Sequence, residues 1–276
     1  MVTGDGDFAT ISEVRRICGI ASAEISDTDV GFMITDAEAQ IPRFFNTFFK
    51  PTEKIEINDG DGTNRHHLEK NPVLSVRALK IDGTAQDVAE LEVYKDSGYI
   101  FLGSGATIPT FSIKKNSIVV KYLHGSVIHS TVSTTSSAAE VAGTAVSVAV
   151  ASSTSFAEDD WVEIVGMDGH RETAQISSTS TGVLVLDQLV LTHESGSSVV
   201  KLEIDHNFVK LMNLVSGIAC VARIIGQSYT DIVGYTLAEL HVQKGEPYTQ
   251  FRETANQLIK ERDEMMSRIS IRPVVM

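Results

Sequence analysis

Short runs of alternating apolar and polar residues, broken by glycine, proline, asparagine and aspartate, fill residues 53–124 and predict strands rather than helices. Ile55 and Ile57 mark a first strand, and Asp59-Gly60-Asp61-Gly62 is the turn expected to close it into a hairpin. After Leu68, Asn71-Pro72 removes a ladder donor, so a new strand is expected from Val73. It carries Val76, Leu79 and Ile81 and stops at a second turn pair, Asp82-Gly83. Leu91–Tyr94, Tyr99–Leu102 and Ile118–Tyr122 read as three further strands.

On both sides of this region the period changes to three-to-four, which predicts helices. Ser12 with Glu13 is expected to open a short helix through Val14, Ile17 and Cys18 that stops at Gly19. Asp27 or Thr28 opens the next, with Val30, Ile34, Ala37 and Ile41 on its apolar side and Pro42 expected to kink or restart it. Late in the chain, Asp205 suits the N-cap of a helix carrying Phe208, Leu211, Met212, Val215 and Ile218, expected to end at Gly226. Gly245-Glu246-Pro247 opens a final helix, with Tyr248, Phe251, Leu258 and Met265 along one side.

Between strands and late helices lies a serine-, threonine- and alanine-rich stretch after Gly125, which reads as a linker and a boundary. Beyond it come short β runs at Val146/Val148/Val150, Val162/Ile164 and Val183–Leu186, with an expected hairpin turn at Asp168-Gly169. These some 70 residues read as an inserted small β-barrel or sandwich, close to the lower limit of independent folding. Replacing Val132 to Leu202 by a short Gly/Ser linker is accordingly expected to leave the remainder folded.

Charge narrows the function. A formal net charge of −13 argues against a protein that grips nucleic acid, because phosphate binding rests on lysine and arginine. It suits equally a soluble surface and the wall of a conduit through which DNA must slide. Cys18 and Cys220 sit in apolar helical patterns and are expected as buried free thiols in a reducing cytoplasm. The acidic start around Gly4, Asp5 and Asp7 lacks the basic region of a signal peptide. Leu214 to Ile225 is short and contains Arg223, so no membrane span is expected.

The succession of turns and strands in residues 53–124, DGDGT…L…NPV.SV…I.DG…Y…G.I.L…N.I.V.Y..G, resembles the head–tail connector (adaptor, head-completion) proteins of long-tailed double-stranded DNA viruses. The resemblance implies an α+β fold: a helical bundle core with a strand-rich extension, here carrying an inserted small all-β domain, barrel or sandwich. Residues 1–52 and 204–276 would supply the helices, 53–125 the extension and 126–203 the insert, which departs from the family pattern. Adaptor subunits form a homo-oligomeric ring, commonly twelve-fold, under the portal. The implied partners are the portal protein and a neck, stopper or tail-completion protein, with genomic DNA passing through the channel without sequence-specific binding and no membrane involved. The implied place is the virion neck, assembled in the host cytoplasm. No catalytic residue, metal or cofactor belongs to the family, so none carries over.

Two sets of residues become candidate contacts. Phe44, Phe45, Phe48 and Phe49, with Tyr248 and Phe251, form either the packing of the core or a subunit interface. Arg268, Ile269, Ile271, Arg272, Val274 and Val275 form an apolar ending with two arginines, in which Pro273 forbids helix and an extended segment is expected to dock on the portal. A different reading makes the β module the working part of a tail or baseplate protein that binds another virion protein or host glycan; its aromatics are Phe156 and Trp161. Chemistry is thinly represented. His66-His67 beside Asp59 and Asp61 is the best metal candidate, although neighbouring histidines on a strand face opposite ways. Asp168 and His170 with His193 and Glu194 would be an acid–base set without a nucleophile, and Gly103-Ser104-Gly105 lacks the outer glycines of a nucleophile elbow.

Overall fold

The computed structural model describes residues 6, 8–45, 48–233 and 246–270, with 43–45, 226–233, 246–250 and 268–270 described by backbone alone. Two compact units emerge, a helical one from Met1–Phe45 and His206–Pro273 and a β one from Asn46–Asp205.

The helical unit holds α1 (Ile11–Cys18), α2 (Asp27–Phe45), α3 (His206–Val233) and α4 (Glu246–Ser270). Thr10 rather than Ser12 caps α1, its hydroxyl accepting from the Glu13 N–H at 3.2 Å, and Gly19 at φ 64° ends the helix. Ser26 caps α2 in the same way, accepting from the Asp29 N–H at 3.2 Å. Pro42 does not restart α2, and α3 runs past Gly226. Val14, Cys18, Val30, Ile34, Leu211, Val221 and Leu258 are buried. Helix α1 lies so close to α3 that a Cβ on Gly217 would stand 2.6 Å from Cys18 Sγ. Both cysteines are free and buried, and burial pushes the thiol of Cys18 up to about 12 and that of Cys220 to about 11, so neither is a nucleophile at neutral pH. Contrary to the sequence reading, His206–Ile225 is long and apolar enough to pass for a membrane span by composition; 56% of it is buried inside the protein, as in a core helix.

The β unit contains three antiparallel sheets among the described residues. The first has the order β1 (Thr52–Asn58), β7 (Ile118–His124), β3 (Val73–Ile81), β4 (Thr84–Gln86). The second sets β2 (Arg65–His67) beside β6 (Tyr99–Leu102) and β5 (Leu91–Tyr94). Leu68, Val76, Leu79, Ile100, Phe111 and Val120 join these two sheets around one core. The expected hairpin at Asp59–Gly62 does not exist, because β1 pairs with β7 and β2 with β6. The aspartate–glycine run is instead a loop pinned to residues 111–116: Gly60 N–H donates to Lys114 O and Gly62 N–H to Phe111 O. Asp82-Gly83, with φ of 52° and 81°, does turn β3 into β4.

The third sheet, β8 (Val127–Thr135), β13 (Ser198–Ile204), β10 (Trp161–Val165), β11 (Arg171–Ser180), β12 (Val183–Leu189) and β9 (Gly143–Ala149), has six strands in that order. A bridge between Ser136 and Val150 joins its two ends into a small barrel filled by Val148, Val162, Ile164, Ala174, Ile176, Leu184 and Leu186.

A helical bundle core is therefore the wrong description. Strands take 37% of the chain and helices 28%, and among the described residues two hydrophobic cores are built from strands. The bundle core with a strand-rich extension was what the resemblance implied; pairing between distant runs, β1 with β7 and β8 with β13, makes the strands the main body of the β unit instead.

Strand β3 is buried along almost its whole length because it is covered on two sides. Arg77 on its far side is buried and donates to Asp187 Oδ2 (3.0 Å), Gln188 Oε1 (3.1 Å) and Thr173 O (3.4 Å) of the barrel. A second polar seam gathers Lys95, His129 and Arg171 on the buried carboxylate of Glu163; His129 Nε2 lies 2.6 Å away and Arg171 3.8 Å. Deleting residues 132–202 should thus give a protein that folds, since Ser133 pairs with Val200 and the ends meet, but with a clearly lower melting midpoint. An unchanged midpoint in thermal denaturation would make the seam energetically silent.

Candidate functional site

Strand β1 inverts the usual rule for a sheet. Ile55 and Ile57 are each 60% exposed, while Glu56 between them is buried. The reason is a polar network under the strand. Glu56 accepts from Tyr122 Oη, from Asn58 Nδ2 at 3.1 Å and from the Glu69 N–H at 3.1 and 3.2 Å, with Lys54 Nζ 3.2 Å away. Burial acts to raise the carboxyl pKa, but these donors outweigh it and hold the group below the ordinary range. With Lys54, Glu56 and Asn58 turned inward, the period of two forces the isoleucines outward. Across the ladder, Ile55 faces Lys121 and Ile57 faces Val119.

Among the described residues β1 pairs on one side only, with β7. A seven-residue edge carrying two open β-branched side chains is the kind of edge that soluble proteins usually blunt with charge or proline. It is well suited to receive another chain by strand addition, with the isoleucines covered on docking. In sequence, Ile55 and Ile57 mark a strand and nothing more. The available signal was Lys54-x-Glu56-x-Asn58, three polar residues in register on the opposite face.

Three side chains of the proposed aromatic interface are described. Phe49 is buried, Phe251 is half-buried, and Phe48 is 44% exposed, its ring edge-on to His124 at 5.3 Å. Phe44 and Phe45 lie in α2 and Tyr248 in α4, with their side chains outside the described residues. Arg268 and Ile269 continue α4 as helix, correcting the expectation of an extended segment from 268, and their side chains too lie outside the described residues, as do Ile271, Arg272, Val274 and Val275 entirely. In the barrel, Phe156 is buried and Trp161 half-buried, so neither offers the open ring a glycan would stack on.

The metal candidates do not converge. His66 packs on Phe111 and accepts from Asn58 at 3.0 Å, His67 packs on Tyr99, and Asp61 accepts from both Thr63 donors. Among the described residues no group of three His, Cys, Asp or Glu is placed to hold a metal ion. His170 stands by exposed Asp168 at 3.1 Å, whereas His193 is buried against Glu172 at 3.4 Å. His193 thus pairs with Glu172 and not with Glu194, although a Cβ on Gly166 would stand 2.4 Å from Asp168 Oδ1 and 3.4 Å from His193 Nδ1. No protein-family model matches the chain, and no curated protein matches it.

Proposed function

We propose that this chain is a structural virion subunit, a head–tail adaptor that forms a ring under the portal, extends the DNA channel and offers the docking surface for the neck or tail. The observation that carries assembly is the open edge of β1 with Ile55 and Ile57. The place in the virion rests on the resemblance in residues 53–124. A net charge of −13 is compatible with DNA sliding past without being held. Repeated subunits joined by a heterologous contact close into a ring when the rotation permits.

Ile55→Lys with Ile57→Lys tests the edge. Both residues are exposed, so the double variant should keep the wild-type melting midpoint while losing ring formation on portal-bearing heads. Rings of normal number and occupancy with the double variant would remove β1 from the assembly surface. The ending after α4 is proposed to hold the portal. Truncation after Ser270 keeps that helix whole and should leave a folded protein that no longer joins heads; heads that still acquire tails would put the portal contact elsewhere.

A further inference from the structure

At the seam inside the β unit lies a cavity of about 390 Å³, between β3 and β5 on one side and the β10–β11 turn on the other. Its volume is within the usual range for small-molecule sites. Leu74, Val76, Val93 and Leu191 make its apolar wall.

Two cationic side chains belong to the lining. Lys95 and Arg171 line the cavity, and His129 stands behind them on Glu163. Lys95 is committed to Glu163, but the guanidinium of Arg171 stays 3.8 Å from that carboxylate and is half open to solvent. That separation is too long for a hydrogen bond, so its donors remain available. The one acid of the lining, Glu172, is already engaged: its oxygens accept from the N–H groups of Val190 at 2.5 Å and Leu191 at 2.9 Å. This hollow thus joins an apolar wall to one guanidinium, that of Arg171, with donors still open to solvent.

We propose that the cavity is a binding site for a small organic anion with an apolar body, such as an aryl sulfonate or a medium-chain carboxylate. The anionic head lies against Arg171, with Lys95 adding to the field, and the body covers Val76, Val93 and Leu191. The site does not depend on ring formation.

Titration of the full chain with anilinonaphthalene sulfonate, followed by its fluorescence, tests this. One saturable site is expected, displaced by octanoate. Arg171→Glu changes a half-exposed side chain and should weaken binding by about ten- to a hundredfold, the range for a hydrogen bond to a charged group. Val93→Trp, which fills the hollow, should abolish binding, whereas Arg65→Glu, outside the lining, should leave it unchanged. No saturable binding, failure of octanoate to compete, or equal affinity for the wild type and Arg171→Glu would each overturn the assignment.

Discussion

Asp187→Ala should destabilise the β unit by about 3 kcal/mol, while Arg77→Met, at the other end of the same pair, should cost about 1 kcal/mol. The asymmetry follows from burial. The Arg77 side chain is 4% exposed and that of Asp187 34%. Removing the carboxylate leaves a guanidinium buried between β3 and the barrel with only Gln188 and Thr173 O to meet it, and Nε already without a partner. Removing the guanidinium leaves an aspartate that reaches water and still accepts from the Gln175 N–H at 2.9 Å. Methionine keeps much of the arginine's apolar stem against its neighbours. Chemical denaturation of both variants gives the comparison; equal losses would mean that Arg77 finds water in the folded protein and that the seam is looser than its geometry.

A second large effect is expected on acidification. His124 is 1% exposed, packed by Phe48 and Tyr122, and burial together with the charges of Lys54 and Lys70 pushes its pKa down to about 4, against the opposing pull of Glu56 and Glu69. In the unfolded chain the same imidazole titrates near its ordinary value of about 6.5. Between those values the unfolded state binds a proton that the folded state refuses. Stability is therefore complete above about pH 6.5 and lost as pH falls towards 4, by about 3 kcal/mol in total from this residue. His124→Asn should show a shallower fall of stability across that window, whatever its absolute stability at pH 7. Parallel curves for the variant and the wild type would assign the acid sensitivity to other groups, with Glu56 and Glu163 acting below it as their carboxylates protonate.

Local signals in the sequence were read well where one element determines itself. Gly19 ending α1, Asp82-Gly83 turning β3 into β4, and Asp168-Gly169 joining β10 to β11 each depend on a backbone conformation that few residues accept. The errors arose where distant segments compete. Asp59–Gly62 has hairpin composition, yet β7 offers β1 a seven-residue partner and β2 is only three residues long. Pro42 does not restart the helix because α2 is held by Val30, Ile34, Ala37 and Ile41, all buried. Ile55 and Ile57 look like core in sequence, and only the network of Glu56, Tyr122, Asn58 and Glu69 shows that they are not. Arg77 likewise sits inside an apolar run, where its partner Asp187 lies 110 residues away and could not be guessed.

Assembly into a ring is tested most directly by imaging the neck of assembled particles by electron microscopy. The expected result is a closed ring of copies of this chain about an open channel beneath the portal, with β1 of each copy covered by its neighbour or by the next protein of the neck. A single copy per neck, or a trimer without a channel at the end of a tail, would contradict it.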